Sequence, residues 1–360
     1  MKNIYHLSEN TSNTSGGLRP VIINLDNYLN NSPLFSSSVI TNFKEKNDKF
    51  QEFVPSKLKA WNYSPELKNY IISELDNIDI FHLHGTFMHT QFIGSKIALA
   101  NKKPYAITPH GMLEPWHLND KKFKKSIYMS FFLNKILKKS NLLHAITPIE
   151  KENLYNLTGH KNIFEIPNLI HTSNFQFETF KESDENYLLF LSRIHPKKGL
   201  DILVEAMSRI DDKKIKLKVV GHENEYSNEL KRKCVSLQIE DRVEFLGGVF
   251  GDEKYSLFKN ARAFVLPSYT EAIGMVNLEA AICETPVLTT FNTGIKPEWS
   301  KHGGLMINPN VEELIKALNE ITNWTALEIS DRGKMMKNYV ITDYSWENKG
   351  YLWEEFYNSI

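Results

Sequence analysis

Ala263-Phe264-Val265-Leu266-Pro267-Ser268-Tyr269-Thr270-Glu271-Ala272-Ile273-Gly274-Met275-Val276-Asn277-Leu278-Glu279-Ala280-Ala281 is the stretch whose reading decides the fold. The apolar run Ala263 to Leu266 stops at Pro267 and reads as a buried strand. A polar loop follows, and a helix opens near Gly274. A helix start exposes unpaired N–H groups and a partial positive charge, so it suits an anion such as a phosphate. Glu271 lies on the loop and Glu279 inside the helix. The two carboxylates are expected at opposite ends of one pocket wall, where they would accept hydroxyls rather than hold phosphate.

Working outward, the same strand–helix unit recurs on both sides. Towards the N-terminus of this half come strands at Tyr187–Leu191, Ile215–Val220 and Val243–Leu246, with helices at Gly199–Ile210, Tyr226–Leu237 and Asp252–Asn260. Beyond it come strands at Pro286–Thr290 and Leu305–Ile307 and a helix at Val311–Ile321. The polar, acidic stretch 172–186 reads as a linker. Before it the alternation runs from a strand at Ile4–Leu7 through a helix at Leu18–Leu29, a second strand near Val39-Ile40 and strands at Asp79–Leu83, Pro104–Thr108, Leu142–Ile146 and Asn162–Ile166. Residues 42–64 read as irregular. Short apolar strands alternating with helices predict parallel sheets covered on both faces. A restart after a linker predicts two such domains. The aromatic-rich segment Ser345–Tyr357 is expected to be helical and to pack back on the first half.

Bulk properties narrow the function. The chain has 360 residues, 43 basic against 43 acidic, and only Cys234 and Cys283. The length allows two domains. A net charge of zero argues against nucleic acid as a partner, and two cysteines imply no disulfide framework. No apolar run is long enough to span a membrane and no secretory leader is read, so a cytoplasmic protein is expected.

Polar residues gather just past the strand ends, where open α/β sheets bind ligands. Tyr187–Leu191 is followed by Ser192-Arg193-Ile194-His195-Pro196-Lys197-Lys198-Gly199. Arg193 and Lys198 suit phosphate oxygens. In the first half the strand ends carry His84-Gly85 and Thr108-Pro109-His110-Gly111, and Gly16-Gly17 ends the loop before the first helix. That loop lacks the G-x-G-x-x-G spacing of a dinucleotide site. A D-x-D motif, which would hold a metal against a diphosphate, is absent from the sequence.

Arg193 with Lys198-Gly199, then Glu271 and Glu279 with seven residues between, resembles the retaining glycosyltransferases of family 4. Gly16-Gly17, Thr108–Gly111 and Pro167-Asn168 extend the likeness over nearly the whole chain. The resemblance implies the GT-B fold, two Rossmann-like doubly wound domains with a cleft between them. Residues 1–168 would form the acceptor-binding domain, with the helix 345–360 packing back on it, and 169–344 the nucleotide-sugar domain. It also implies the residue roles. Arg193 and Lys198 would meet the donor diphosphate and stabilise the leaving group. Glu271 would hold the transferred sugar, and Glu279 the ribose. Gly274, Met275 and Val276 would offer backbone N–H groups, with Gly221 and Leu246 counted in the donor site. His110 would contact the transferred sugar. Gly16 and Gly17 would let donor and acceptor approach, and His84 would face the acceptor. No cofactor and no metal are expected.

The chain departs from the family pattern at three places. Glu284 stands where a glycine usually follows the helix cysteine, His222-Glu223 replaces an acidic-glycine pair, and the boundary reads Asn168-Leu169-Ile170-His171. His82, His84 and His89 cluster in sequence and read as strand-end polar residues rather than metal ligands. The segment Trp116–Lys139 is basic and amphipathic. Its plain reading is a surface helix packed on the sheet; its other reading is docking of the Lys121–Lys125 end on an anionic membrane.

Together these features lead us to expect transfer of a hexose from a nucleotide diphosphate sugar, UDP favoured over GDP. The expected acceptor is a glycan, free or polyprenyl-linked, in bacterial O-antigen, capsule or exopolysaccharide synthesis at the inner face of the cytoplasmic membrane. Two alternatives share the architecture: a sugar-nucleotide 2-epimerase and a non-catalytic sugar-nucleotide or glycan-binding protein.

Overall fold

The computed structural model describes residues 1–15, 17–56, 60–114, 118, 122–175 and 185–360. Gly16, Trp116, Lys121 and most of the expected linker lie outside the described residues. The chain divides into two compact units, Met1–Asn168 with Gly350–Ile360, and Leu169–Lys349. The terminal segment changes unit at Gly350. Trp346–Lys349 is a helix of the second unit and Tyr351–Asn358 a helix of the first, so the returning piece is shorter than 345–360.

The first unit is built on seven parallel strands: β1 (Lys2–Asn10), β2 (Phe35–Phe43), β3 (Gln51–Glu52), β4 (Ile80–His84), β5 (Tyr105–Thr108), β6 (Leu142–Ala145) and β7 (Ile163–Glu165). Their order is β3-β2-β1-β4-β5-β6-β7. The second unit has β8 (Tyr187–Leu191), β9 (Lys216–Val220), β10 (Val243–Gly247), β11 (Ala263–Val265), β12 (Val287–Thr290) and β13 (Leu305–Ile307). These run β10-β9-β8-β11-β12-β13, again all parallel. Both orders are doubly wound. The direction of winding reverses between β1 and β4 in one sheet and between β8 and β11 in the other. That reversal opens a crevice at the strand carboxyl ends, which is where such sheets bind ligands.

The two faces of the first sheet are unlike. Leu7, Phe81, Leu83, Ile107 and Leu143 point into an apolar core shared with the helices Pro65–Ser73 and His89–Ala100. That second helix lies close: a Cβ on Gly94 would collide with the Leu7 side chain. The other face carries His6, His82, His84, Thr108 and His144, all buried. His6 stands opposite His82, and His84 opposite Thr108. Ile80-Phe81-His82-Leu83-His84 alternates apolar and polar, the pattern of a half-exposed strand. It is nevertheless buried throughout, because Tyr351–Asn358 covers the histidine face with Trp353, Phe356 and Tyr357.

Two elements differ from the sequence reading. The region expected to be irregular contains β3, which pairs with Ile40 and Thr41. A 19-residue helix, Ala326–Tyr344, lies where none is predicted. It starts at a capping box of Thr325 and Glu328, and its buried positions are Gly333, Met336, Tyr339, Val340 and Tyr344. A glycine and two tyrosines make that stripe faint to a hydrophobicity pattern. Gly333 packs against the Glu284 carbonyl with no room for a Cβ. Glu284 itself has φ +60°, the left-handed region, at the position where the resembled family has glycine. Ion pairs to Lys259 (3.0 Å) and Lys337 (2.7 Å) hold it there.

Trp353 is buried against His144 at 4.5 Å between ring centroids. Trp353→Ala is expected to destabilise the first unit by about 3–5 kcal/mol, read as a lower urea midpoint, and to expose the histidine face.

Candidate functional site

In the second unit the loops after β8 and β11 meet at the switch point. Pro196–Lys198 forms a single 3-10 turn, capped by His195, whose Nδ1 accepts from the Lys197 N–H at 3.2 Å. Gly199 ends the turn at φ +69°. A Cβ there would collide with the carbonyl oxygen of Pro267. Only glycine therefore lets the two loops touch, and the Tyr269 N–H donates to Lys197 O at 2.8 Å across the contact. This approach delivers Lys198 to Glu271. The ammonium donates to Glu271 Oε2, and Lys198 is only 7% exposed. A buried charge needs such a partner. The backbone of Glu271 is held as well, through its N–H to Asn292 O (3.2 Å) and a bridge to Thr293.

Arg193 is exposed and makes no hydrogen bond or ion pair among the described residues. Lys197 is held below the usual lysine range, first by burial and then by the charges of Lys198 and Arg193. His195 is lowered in the same way. Burial is the larger cause in both cases, and at Lys197 the Glu271 charge opposes it.

The helix Met275–Ile282 begins at Gly274, which is left-handed with φ 66°. The N–H groups of Met275 and Val276 have no preceding helical carbonyl and remain available. Glu279 lies one turn further on. Its Oε2 sits 2.7 Å from Lys254 Nζ, close enough for an ion pair but misaligned for a hydrogen bond. Lys254 comes from the neighbouring helix Gly251–Asn260, and no sequence spacing to Glu279 announces the pair. Gly221 ends β9 against the Ser192 carbonyl with no space for a Cβ. Leu246 lies in β10 and is partly buried. The structure brings Arg193, Lys198, Glu271 and Gly274 to the ends of β8 and β11, with Gly221 on the adjoining strand.

In the first unit His110 is partly exposed, and His84 lies behind it. The expectation that His84 faces the acceptor is corrected. Its side chain is 1% exposed, and both ring nitrogens are engaged, Nδ1 with His110 Nε2 and Nε2 with His6 Nδ1, each at 2.9 Å. Burial holds His84 well below the usual histidine range and pushes His6 and His110 down to about 3. All three rings are neutral at pH 7.

A second chain runs alongside. His144 Nε2 lies 2.8 Å from Ile166 O, and a carbonyl only accepts, so this nitrogen carries the proton. His144 Nδ1 then accepts from the Thr108 hydroxyl at 2.9 Å. Thr108 in turn accepts from His82 Nε2 at 2.7 Å, and His82 Nδ1 accepts from the Tyr357 hydroxyl at 2.6 Å. One carbonyl therefore orients four hydrogen bonds. His6, His82 and His84 have ligating atoms within 4.8 Å of one another, but this chain uses both nitrogens of His82, which disfavours a three-imidazole metal site. His89, the third histidine of the sequence cluster, is buried apart from them against Trp61 and Tyr63.

His110 has φ +55° and Gly111 φ +73°. A non-glycine residue in that region is strained and persists only when its surroundings hold it. Glu150 supplies part of the hold: Oε1 accepts from the Gly111 N–H at 2.7 Å, and Oε2 from the Ile146 N–H at 2.8 Å. Its position in the helix Pro148–Thr158 gives no sequence hint of this role. Of the glycine loop, Gly17 is described; it has φ −64°, and a Cβ there would meet open space. The fold does not demand glycine at that position.

The basic segment contains the helix Lys122–Tyr128, a π turn at Met129–Leu133 and the helix Asn134–Lys139. Leu133, Ile136 and Leu137 pack inward, but Phe123, Ile127, Phe131 and Phe132 face solvent, Phe131 at 72% exposure. Phe131 and Phe132 line a surface groove of about 780 Å³ with Ile72 and Leu99, beside Lys96 and Lys135. The plain reading of a packed surface helix therefore covers only part of this segment.

Two doubly wound parallel units define the GT-B class of fold. The model for glycosyl transferases group 1 matches residues 172–338, and that for glycosyltransferase family 4 matches residues 31–174. The chain belongs to this glycosyltransferase family. It is 26% identical over 317 residues to the gpi3 subunit of the phosphatidylinositol N-acetylglucosaminyltransferase of Schizosaccharomyces pombe, a match covering 83% of this chain and 65% of that protein. It is 27% identical over 244 residues to the O-antigen chain mannosyltransferase RfbU of Salmonella typhimurium, covering 64% of this chain and 67% of that one. Among solved structures, Anabaena HepE in complex with UDP and glucose superposes with a TM-score of 0.79 at 16% identity, over the full length of both chains.

Burial raises the Glu150 carboxyl from 4.5 to about 7, more than its two backbone N–H bonds lower it, and Glu114 adds to the rise. Between those pH values the folded chain keeps a proton that the unfolded chain releases. This contribution to stability is full below pH 4.5 and is lost as pH rises through about 7. The unfolding free energy of the native chain should fall across that window by on the order of 3 kcal/mol more than that of Glu150→Gln. Equal slopes in urea titrations from pH 4.5 to 8 would count against it.

Proposed function

We propose that this chain is a retaining hexosyltransferase that moves one sugar from a nucleotide diphosphate donor, UDP-linked in preference to GDP-linked, to a glycan acceptor. The observation that carries this reading is the loop pair at the β8/β11 switch point. There an exposed Arg193, a buried Lys198 and an open helix N-terminus present positive charge beside two carboxylates. A metal-free diphosphate site needs that charge, and sugar and ribose hydroxyls need the acceptors. In this reading Arg193 and Lys198 take the developing charge of the diphosphate as its bond to the sugar C1 breaks. The acceptor hydroxyl adds from the same face of an oxocarbenium-like centre, and its proton passes to the departing phosphate oxygen. Glu271 is not assigned as a nucleophile, because addition from the same face, with the departing phosphate as base, needs none. It holds the transferred sugar instead, and Glu279 the ribose.

The acceptor is proposed to be a polyprenyl-linked glycan of bacterial surface polysaccharide synthesis, reached from the cytoplasmic side of the membrane. Among the described residues no helix is long and apolar enough to cross a membrane. Docking through the Lys121–Lys125 end is supported by the exposed Phe123 and Ile127 beside it, since apolar rings flanked by lysines suit an anionic interface.

Incubation with a panel of UDP- and GDP-sugars tests the reading. Nucleotide release that rises with added acceptor, and persists in EDTA, is the expected result. Nucleotide release without a glycosylated product would favour the epimerase, and binding without turnover the non-catalytic alternative. With the active donor, Glu279→Ala should mainly raise the donor KM about tenfold, the loss of one hydrogen bond to a hydroxyl. Glu271→Ala should mainly lower kcat; the reverse division would reject these roles. Neutralising Lys121, Lys122, Lys124 and Lys125 should weaken co-sedimentation with anionic liposomes, and unchanged binding would remove the membrane proposal.

A further inference from the structure

The histidines behind His110 have a use beyond filling space. His6, His84 and His110 form a chain of two hydrogen bonds, His6 Nδ1 to His84 Nε2 and His84 Nδ1 to His110 Nε2, each 2.9 Å. Each ring is neutral, so each carries one N–H. Two bonds among three neutral rings permit only two arrangements, and they run in opposite directions.

The far end of the chain distinguishes them. His6 Nε2 is buried and has no hydrogen-bond partner among the described residues. If the chain ran inward, from His110 to His6, this nitrogen would carry a buried N–H with nothing to accept it. If the chain ran outward, it would hold only a bare lone pair. Orphaned buried N–H donors are rarer in folded proteins than under-used acceptors. The neighbouring chain offers His6 no rescue, because neither the Thr108 nor the Tyr357 hydroxyl lies within hydrogen-bond reach of His6 Nε2.

We infer that His6 and His84 are positioning residues that lock His110 as the neutral tautomer with its proton on Nδ1, so that His110 meets the transferred sugar as a hydrogen-bond donor. His6 Nδ1–H donates to His84 Nε2, and His84 Nδ1–H donates to His110 Nε2. The remaining N–H of the chain is on His110 Nδ1, which has no partner among the described residues. A ring in this state offers a donor to a hydroxyl oxygen lone pair of the sugar. It has no free lone pair with which to deprotonate an acceptor hydroxyl, since Nε2 already accepts from His84. This assigns His110 to sugar recognition and leaves the proton of the acceptor hydroxyl to another base. The inference rests on the proposed contact between His110 and the sugar, but the tautomer itself is a property of the free protein.

The test is long-range 1H–15N NMR on the full chain with 15N-labelled histidines, the His110 signals being assigned by their loss in His110→Gln. A pyrrole-type Nδ1 and a pyridine-type Nε2 at His110 are expected in the native protein without any substrate. This measurement needs no altered chain, so a misfolded variant cannot leave it undecided. A protonated Nε2 at His110 would overturn the inference whether or not the chain proves to be a sugar transferase. His6→Asn places an amide N–H near the position of Nδ1 and should keep the native tautomer and rate. His6→Leu removes the donor; His110 should then populate both tautomers, and kcat should fall about tenfold, the scale of one hydrogen bond. A merely structural His6 would change stability in His6→Leu while leaving the His110 tautomer intact, and that result would also overturn the proposal.

Discussion

A polar group withdrawn from water must find a partner inside the protein, and both units of this chain are arranged by that requirement. In the second unit it acts on charge. Lys198 is buried only because Glu271 is brought to it, and Glu271 is brought there only because Gly199 lets the β8 loop rest on the Pro267 carbonyl. In the first unit it acts on protons. A whole face of the sheet is lined with imidazoles, and on that face each buried ring nitrogen is hydrogen-bonded except His6 Nε2.

The two solutions differ in what they leave available. The ion pair is polar and partly solvent-reached at Glu271, so a competing anion can reopen it, and Arg193 has no partner among the described residues. The histidine chains have no such slack. Their rings are neutral, packed under the helix Tyr351–Asn358 and tied at one end to a backbone carbonyl. The first unit thus presents a fixed hydrogen-bond pattern, and the second presents charge that a ligand can rearrange.

Two of the left-handed non-glycine residues, His110 at the end of β5 and Glu284 after the helix Met275–Ile282, are held by named partners. Glu150 holds the first through the neighbouring Gly111 amide, and Lys259 and Lys337 hold the second. At Glu284 the residue type does not announce the conformation, since glycine or asparagine would be the expected occupant.

The alternation of apolar strands and helices was enough, without coordinates, to establish two parallel α/β halves, because period and strand length are local properties of the chain. The motif residues Arg193, Lys198, Glu271 and Gly274 were legible for the same reason: each lies a few residues past a strand end, and strand ends in such sheets are where sites form. The helix Ala326–Tyr344 was not legible, because its buried stripe includes glycine and tyrosine. Partners were decided only by the tertiary structure. That Lys198 meets Glu271, Lys254 meets Glu279, Glu150 holds Gly111 and His84 sits behind His110 depends on which strands lie side by side. So does the burial of the histidine face, which local alternation alone would have left half in water. A hydrogen bond is selected by angstroms across the sheet, and separation along the chain carries no record of them.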